Sequence, residues 1–163
     1  MTQILHWTTA LLIFVALIVG FVMTHFMSDE GFNQLVNGHV LGGWTILVLM
    51  VLRLFARWRQ PAPDTPEGLS GARAQLFKWN HILLYVFLFL MLSSGLGILG
   101  LSSLSLFPGG ITVDGIQKVP PIAAHDLFSK IVFVLIVMHI GGVLNYQFTK
   151  GDVLARMGLN LKK

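Results

Sequence analysis

Six histidines, His6, His25, His39, His81, His125 and His139, are the main side chains able to ligate a transition metal in this sequence, because it contains no cysteine. That absence excludes disulfides, thiolate iron-sulfur clusters, a Cys-based zinc site and covalent haem attachment through C-x-x-C-H. Histidine ligates iron readily, and an ionisable residue inside a membrane is costly enough to be a functional candidate by default. The most informative spacing is His125 to His139. Fourteen residues at about 100° each return to within about 40° of one helix face while rising ~21 Å. A single helix stripe therefore offers imidazole at two depths, and two irons held there would be separated by most of the hydrocarbon thickness.

The elements that must carry these residues follow from composition. Of 163 residues, 55% are hydrophobic and only 11% charged, whereas soluble domains run near a quarter charged. A lipid bilayer is the natural solvent for such a chain. The net charge of +4 is no sign of nucleic-acid binding, because most basic residues flank apolar spans, where they orient a protein in a membrane. The apolar runs predict four spans, at about 4–24, 39–55, 79–101 and 123–146, and the length predicts one transmembrane domain over 1–163. The first span has no basic residue before it and reads as retained, not as a cleaved signal. Residues 60–71 (QPAPDTPEGLSG) read as a solvent-exposed connection. Residues 102–121 read as a second loop, long enough to fold over the site beneath it.

Basic residues fix the expected orientation. Arg53, Arg57, Arg59, Arg73 and Lys78 lie between spans two and three, and Lys150, Arg156, Lys162 and Lys163 follow span four. That side is expected to be cytoplasmic, with both termini, in an all-α, up-down-up-down bundle of four helices. The opposite face carries Asp29, Glu30, Asp114 and Lys118.

With that topology the histidines sort into two layers: His6, His81 and His139 inside, His25, His39 and His125 outside. Each layer suits one haem iron held by two imidazoles from different helices. At the outer layer His39 is a better partner for His125 than His25, which lies where span one gives way to the acidic loop. At the inner layer spacing alone leaves His6 and His81 both open as partners of His139. The bland alternative makes each histidine an interfacial residue bonded to headgroups or carbonyls. Zinc or copper sites are the other metal reading, and they would tend to add carboxylate, Cys or clustered Met ligands, whereas here only Asp126 closely accompanies a histidine.

Gly42, Gly43, Gly95, Gly97, Gly100, Gly141 and Gly142 leave room for a planar group, or equally for close helix packing. Trp7, Trp44, Trp58 and Trp79 read first as interface-belt residues. Lys130 could meet a haem propionate or an anionic substrate, but Asp126 four residues earlier makes an ordinary helical ion pair the better reading. Arg53, Arg57 and Lys78 serve topology and are further propionate candidates. A quinone would need an apolar slot with a polar end, which His81 or the Tyr146 and Gln147 end of span four can supply.

Five motifs now stand in order: LHW at 5–7, NGHVLGG at 37–43, NHILLY at 80–85, HDLFSKIVFVLIVMH at 125–139 and KGDVLARM at 150–157. With them the chain resembles the bacterial cytochrome b561 family over nearly its whole length. The resemblance implies a multi-pass protein of the bacterial inner membrane with two haems b. It pairs His6 with His139 and His39 with His125, and leaves His81 beside the inner haem or on the quinone side. It further implies electron transfer between an outer-face donor, with superoxide the specific expectation, and ubiquinone. Local charge does not independently support an anionic donor, since Asp29, Glu30 and Asp114 outnumber Lys118. Two other readings remain: a membrane anchor relaying electrons for a separate dehydrogenase or periplasmic partner, and a His-lined metal transporter without haem.

Overall fold

The computed structural model describes residues 2–59, 71–116, 119–149, 151 and 153–159. Its helices are α1 (Thr2–His25), α2 (Asp29–Trp58), α3 (Gly71–Leu101), α4 (Pro120–Thr149) and the short α5 (Val153–Arg156). The first four are long and apolar enough to cross a membrane. Their outer surfaces carry large apolar side chains such as Phe14, Ile18, Phe133 and Val137, which a bilayer solvates and water would not.

Three of the expected boundaries are corrected. Span two begins ten residues before the expected 39, because Ser28 caps the helix, its side chain accepting from the Gly31 amide, and Asp29 and Glu30 fill the first turn. Both acids favour a helix N-terminus, so they belong to the helix and not to a loop. Span three begins at Gly71 instead of 79, its basic first turns, with Arg73 and Lys78, projecting beyond the apolar stretch. Span four begins at Pro120, so Pro120 and Pro121, expected in the loop, open a helix; proline in a first turn forfeits no helical hydrogen bond. The connection at 60–70 and residues Lys118, Lys150, Lys162 and Lys163, with the side chain of Arg156, lie outside the described residues.

Packing is uneven. α1 lies along α2 and α3 along α4, whereas the two hairpins touch each other sparingly. Small residues explain the close α3/α4 seam: a Cβ on Gly95 would stand 3.3 Å from the His125 ring, and one on Gly97 would stand 3.3 Å from Pro121. Asn80 adds a bond from its amide to the Leu135 carbonyl, 3.1 Å.

Each helix also repeats at seven residues, the period that keeps one stripe facing the bundle axis. α1 presents His6, Ile13 and Gly20; α2 presents His39, Ile46 and Arg53; α3 presents His81, Leu88 and Gly95; α4 presents His125, Val132 and His139. Ile13, Ile46, Leu88 and Val132, the middle member of each stripe, are all buried in one apolar cluster. The bundle thus has three layers: a basic end with three histidines and an arginine, an apolar middle, and a loop end with two histidines and two glycines.

Candidate functional site

At the loop end His39 and His125 face one another with ring centres 6.2 Å apart. The His125 ring is fixed from behind: its Nδ1 lies 3.0 Å from the Met91 carbonyl and 3.2 Å from the Ser94 hydroxyl, both on α3. Donation to that carbonyl puts the ring proton on Nδ1 and frees Nε2, the arrangement in which a metal-ligating histidine is held. His39 is half-buried, its ring close beneath Gly20 of α1. Its Nδ1 is buried without a hydrogen-bond partner of good geometry, with the Ala16 backbone of α1 the group near enough to take its proton.

At the basic end His6 and His139 have ring centres 6.3 Å apart. His81 stands edge-on to His139 at 4.9 Å, with its own Nδ1 2.7 Å from the Phe77 carbonyl one turn back. The guanidinium of Arg53 lies 2.9 Å from Nδ1 of His6 and over the Tyr85 ring. Arginine only donates, so Nδ1 of His6 is the acceptor in that contact and the ring proton is on Nε2; ligation of a metal through Nε2 would move that proton to Nδ1 and require Arg53 to turn away.

These spacings can be tested against iron. An imidazole nitrogen sits about 2 Å from a first-row metal, and the ring centre about 1.1 Å further, so a metal in line between two imidazoles needs ring centres about 6.3 Å apart. The His39/His125 and His6/His139 separations suit it, and the 4.9 Å between His81 and His139 is too short. A bare metal ion fits poorly, because among the described residues no cluster of three or more His, Cys, Asp or Glu is placed to bind one. The donor sets therefore fit a metal that brings its own equatorial ligands.

The other candidates fall outside these pairs. His25 is exposed, stacked on Phe21 and bonded to the Phe21 carbonyl and Thr24 hydroxyl. Lys130 forms an exposed ion pair with Asp126 at 2.7 Å, as its four-residue spacing predicts. Lys78 is exposed near the start of α3, and Tyr146 is half-buried near the end of α4, where its carbonyl accepts from the Gly151 amide. Gly20 is the residue that sequence reasoning missed. The signal was present, since it lies two seven-residue steps from His6.

A family model described as prokaryotic cytochrome b561 matches residues 1–159. No curated protein and no solved structure matches the chain.

Proposed function

From the premise that the chain belongs to the prokaryotic cytochrome b561 family, as a multi-pass membrane b-type cytochrome of electron transfer, we propose that it binds two haems b and carries electrons from an outer-face donor to ubiquinone. His39 with His125 at the loop end, and His6 with His139 at the basic end, would hold the two haems. The observation that carries this is the ring spacing, 6.2 and 6.3 Å in the two pairs, each matching what one metal between two imidazoles requires. The loop end is the outer face and the basic end, with both termini, the cytoplasmic face of the inner membrane, by the distribution of Arg53, Arg57, Arg73 and Lys78.

A bound haem would supply reversible one-electron capacity, and two histidines held to each iron would leave no site there for substrate. The protein's own part is to hold the imidazoles and keep water out. Met91 and Ser94 orient His125, and Ile13, Ile46, Leu88 and Val132 keep the two ends apart. Ubiquinone takes up two protons with its two electrons, so its site belongs at the basic end, where His81, Arg53 and Tyr146 supply polar groups beside apolar helix surface. Lys78 is the remaining basic candidate there.

Superoxide is the specific donor assigned here, on the strength of the family resemblance. Two superoxide ions and two protons reduce one ubiquinone to ubiquinol and release two molecules of oxygen. A second reading is favoured by one observation: the described charges at the loop end are Asp29, Glu30 and Asp114, with Lys130 already paired to Asp126. Such an acidic face repels a small anion and suits a basic protein partner. On that reading the chain is an anchor subunit that relays electrons for a dehydrogenase or periplasmic protein.

Rapid mixing separates the two. Purified protein reduced by superoxide, and reoxidised with stoichiometric ubiquinol formation, supports the autonomous enzyme. Reduction only after a protein partner is added supports the anchor. A preparation from haem-replete cells without two haems per chain in the pyridine haemochrome assay would overturn both.

A further inference from the structure

The segment 102–116 is more than a connection. α3 ends at Leu101, and Ser103, with φ 56, turns the chain so that the Leu104 amide bonds back to the Leu99 carbonyl at 2.9 Å. From there the backbone runs along α2. The Trp44 indole donates to the Leu106 carbonyl at 2.6 Å, and its ring stacks on Phe107. Seven residues nearer the loop end of α2, Asn37 accepts from the Gly109 and Ile111 amides at 2.8 and 3.2 Å and donates to the Ile111 carbonyl at 3.0 Å. Asn33 then accepts from the Val113 amide at 2.7 Å.

Trp44 lies about 10 Å further along the helix axis than Asn37, and its long side chain leans back toward the loop end to reach the segment. Irregular backbone beside a membrane interior persists only where protein satisfies its polar groups, and three α2 side chains do so here. The segment also fills a gap. Ile111 is 1% exposed, packed with Val36 of α2 and Leu99 of α3, where those helices otherwise make little contact.

A mechanical connection follows from His39 to His125. It passes from α2 through Asn33, Asn37 and Trp44 to the segment, through Ile111 to α3, and through the Gly95 and Met91 contacts to the His125 ring. We propose that Asn37 and Trp44 are positioning residues for the loop-end haem: they seat residues 102–116 as a wedge between α2 and α3, and the wedge sets the gap across which His39 and His125 face one another. Neither side chain touches either ring. Asn37 lies two residues before His39 and therefore on nearly the opposite side of the helix. The basic-end pair has no such dependence, since His6 and His139 sit at the other end of the bundle.

This inference rests on the assignment of a haem to the His39/His125 pair, and the test keeps the two separate. The full-length protein is purified with its haems, and the loop-end signal is identified as the one lost on His125→Ala replacement. Haem content, midpoint potentials and the low-spin EPR signals are then compared for Asn37→Ala, Asn37→Asp and Trp44→Phe. Asn37→Ala is expected to lower loop-end occupancy several-fold and to shift that haem's EPR signal and potential, with the basic-end haem unchanged. Asn37→Asp, which keeps the two bonds accepted from Gly109 and Ile111, restores most of the signal. Trp44→Phe keeps the stack on Phe107 and loses one bond; it shows a smaller shift of the same kind and stands in if Asn37→Ala does not accumulate. Unchanged loop-end signals in these variants, or equal loss of both haems, overturn the proposal. A His125→Ala protein that keeps both haems instead overturns the ligand assignment beneath it.

Discussion

Replacing Gly20 by alanine puts the glycine contacts to a quantitative test. A Cβ at Gly20 would stand 3.2 Å from Cε1 of His39, and one at Gly95 would stand 3.3 Å from Cε1 of His125, each a few tenths of an ångström inside ordinary contact. Without a ligand the ring can turn away. Bound to iron it cannot, so the strain falls on the bound state alone. Overpacking of this size costs about 1–3 kcal/mol, which is about a 5- to 150-fold loss in affinity. Helix propensity changes in the opposite direction, by about 0.5–1 kcal/mol in favour of alanine, and it acts on the fold with or without haem. Gly20→Ala is thus expected to loosen one haem in a bundle no less stable than before. Haem per chain, and the rate of haem transfer to an excess of a haem-scavenging apoprotein, resolve the two ends. Gly38→Ala is the control, since a Cβ there meets nothing within 4 Å. Wild-type retention at the loop end, or equal loosening at both ends, would refute the reasoning.

Three further outcomes are expected. His81→Ala keeps both haems, while His139→Ala loses the basic-end one; the opposite pattern in haem quantification would show that His81 is the ligand. Trp7→Phe removes the indole bond to the Met157 carbonyl, 2.9 Å, which ties the C-terminal segment to α1. Its loss costs about 1 kcal/mol and appears as faster proteolysis after α4, whereas unchanged cleavage would show the bond to be dispensable. Asp126→Asn breaks an ion pair whose side chains are 69% and 57% exposed, so the thermal midpoint and haem content stay near wild type, as for other exposed pairs. A large change in either would tie Lys130 to the haem after all.

Much of the candidate site was legible because it obeys one-dimensional rules. His125 and His139 share a stripe by helical arithmetic alone, and four apolar runs of bilayer length announce four spans. The missing parts are contacts between residues far apart in sequence. Hydropathy could not see that α2 starts at Asp29, because its first ten residues include polar side chains that cap a helix and grip a loop. Asn37 stood inside a recognised motif, but its partners Gly109 and Ile111 lie more than seventy positions away, and no local pattern links them. His6 and His81 were equal candidates by depth, the family resemblance favoured His6, and their different distances from the His139 ring could not be read from a local pattern. The seven-residue ladder in all four helices was readable and would have placed Gly20 and Arg53 in the two end layers.

The apolar middle layer has a consequence for energetics. Ile13, Ile46, Leu88 and Val132 form an apolar partition between the two ends, and none of these four side chains can pass a proton along. On the proposed route, negative charge crosses this partition unaccompanied, and the protons that join quinone come from the cytoplasm. Turnover then works with or against the membrane voltage, at up to about 2.3 kcal/mol per charge for each 100 mV, scaled by the fraction of the field the electron traverses. The same four side chains that hold the bundle together would make it a current source.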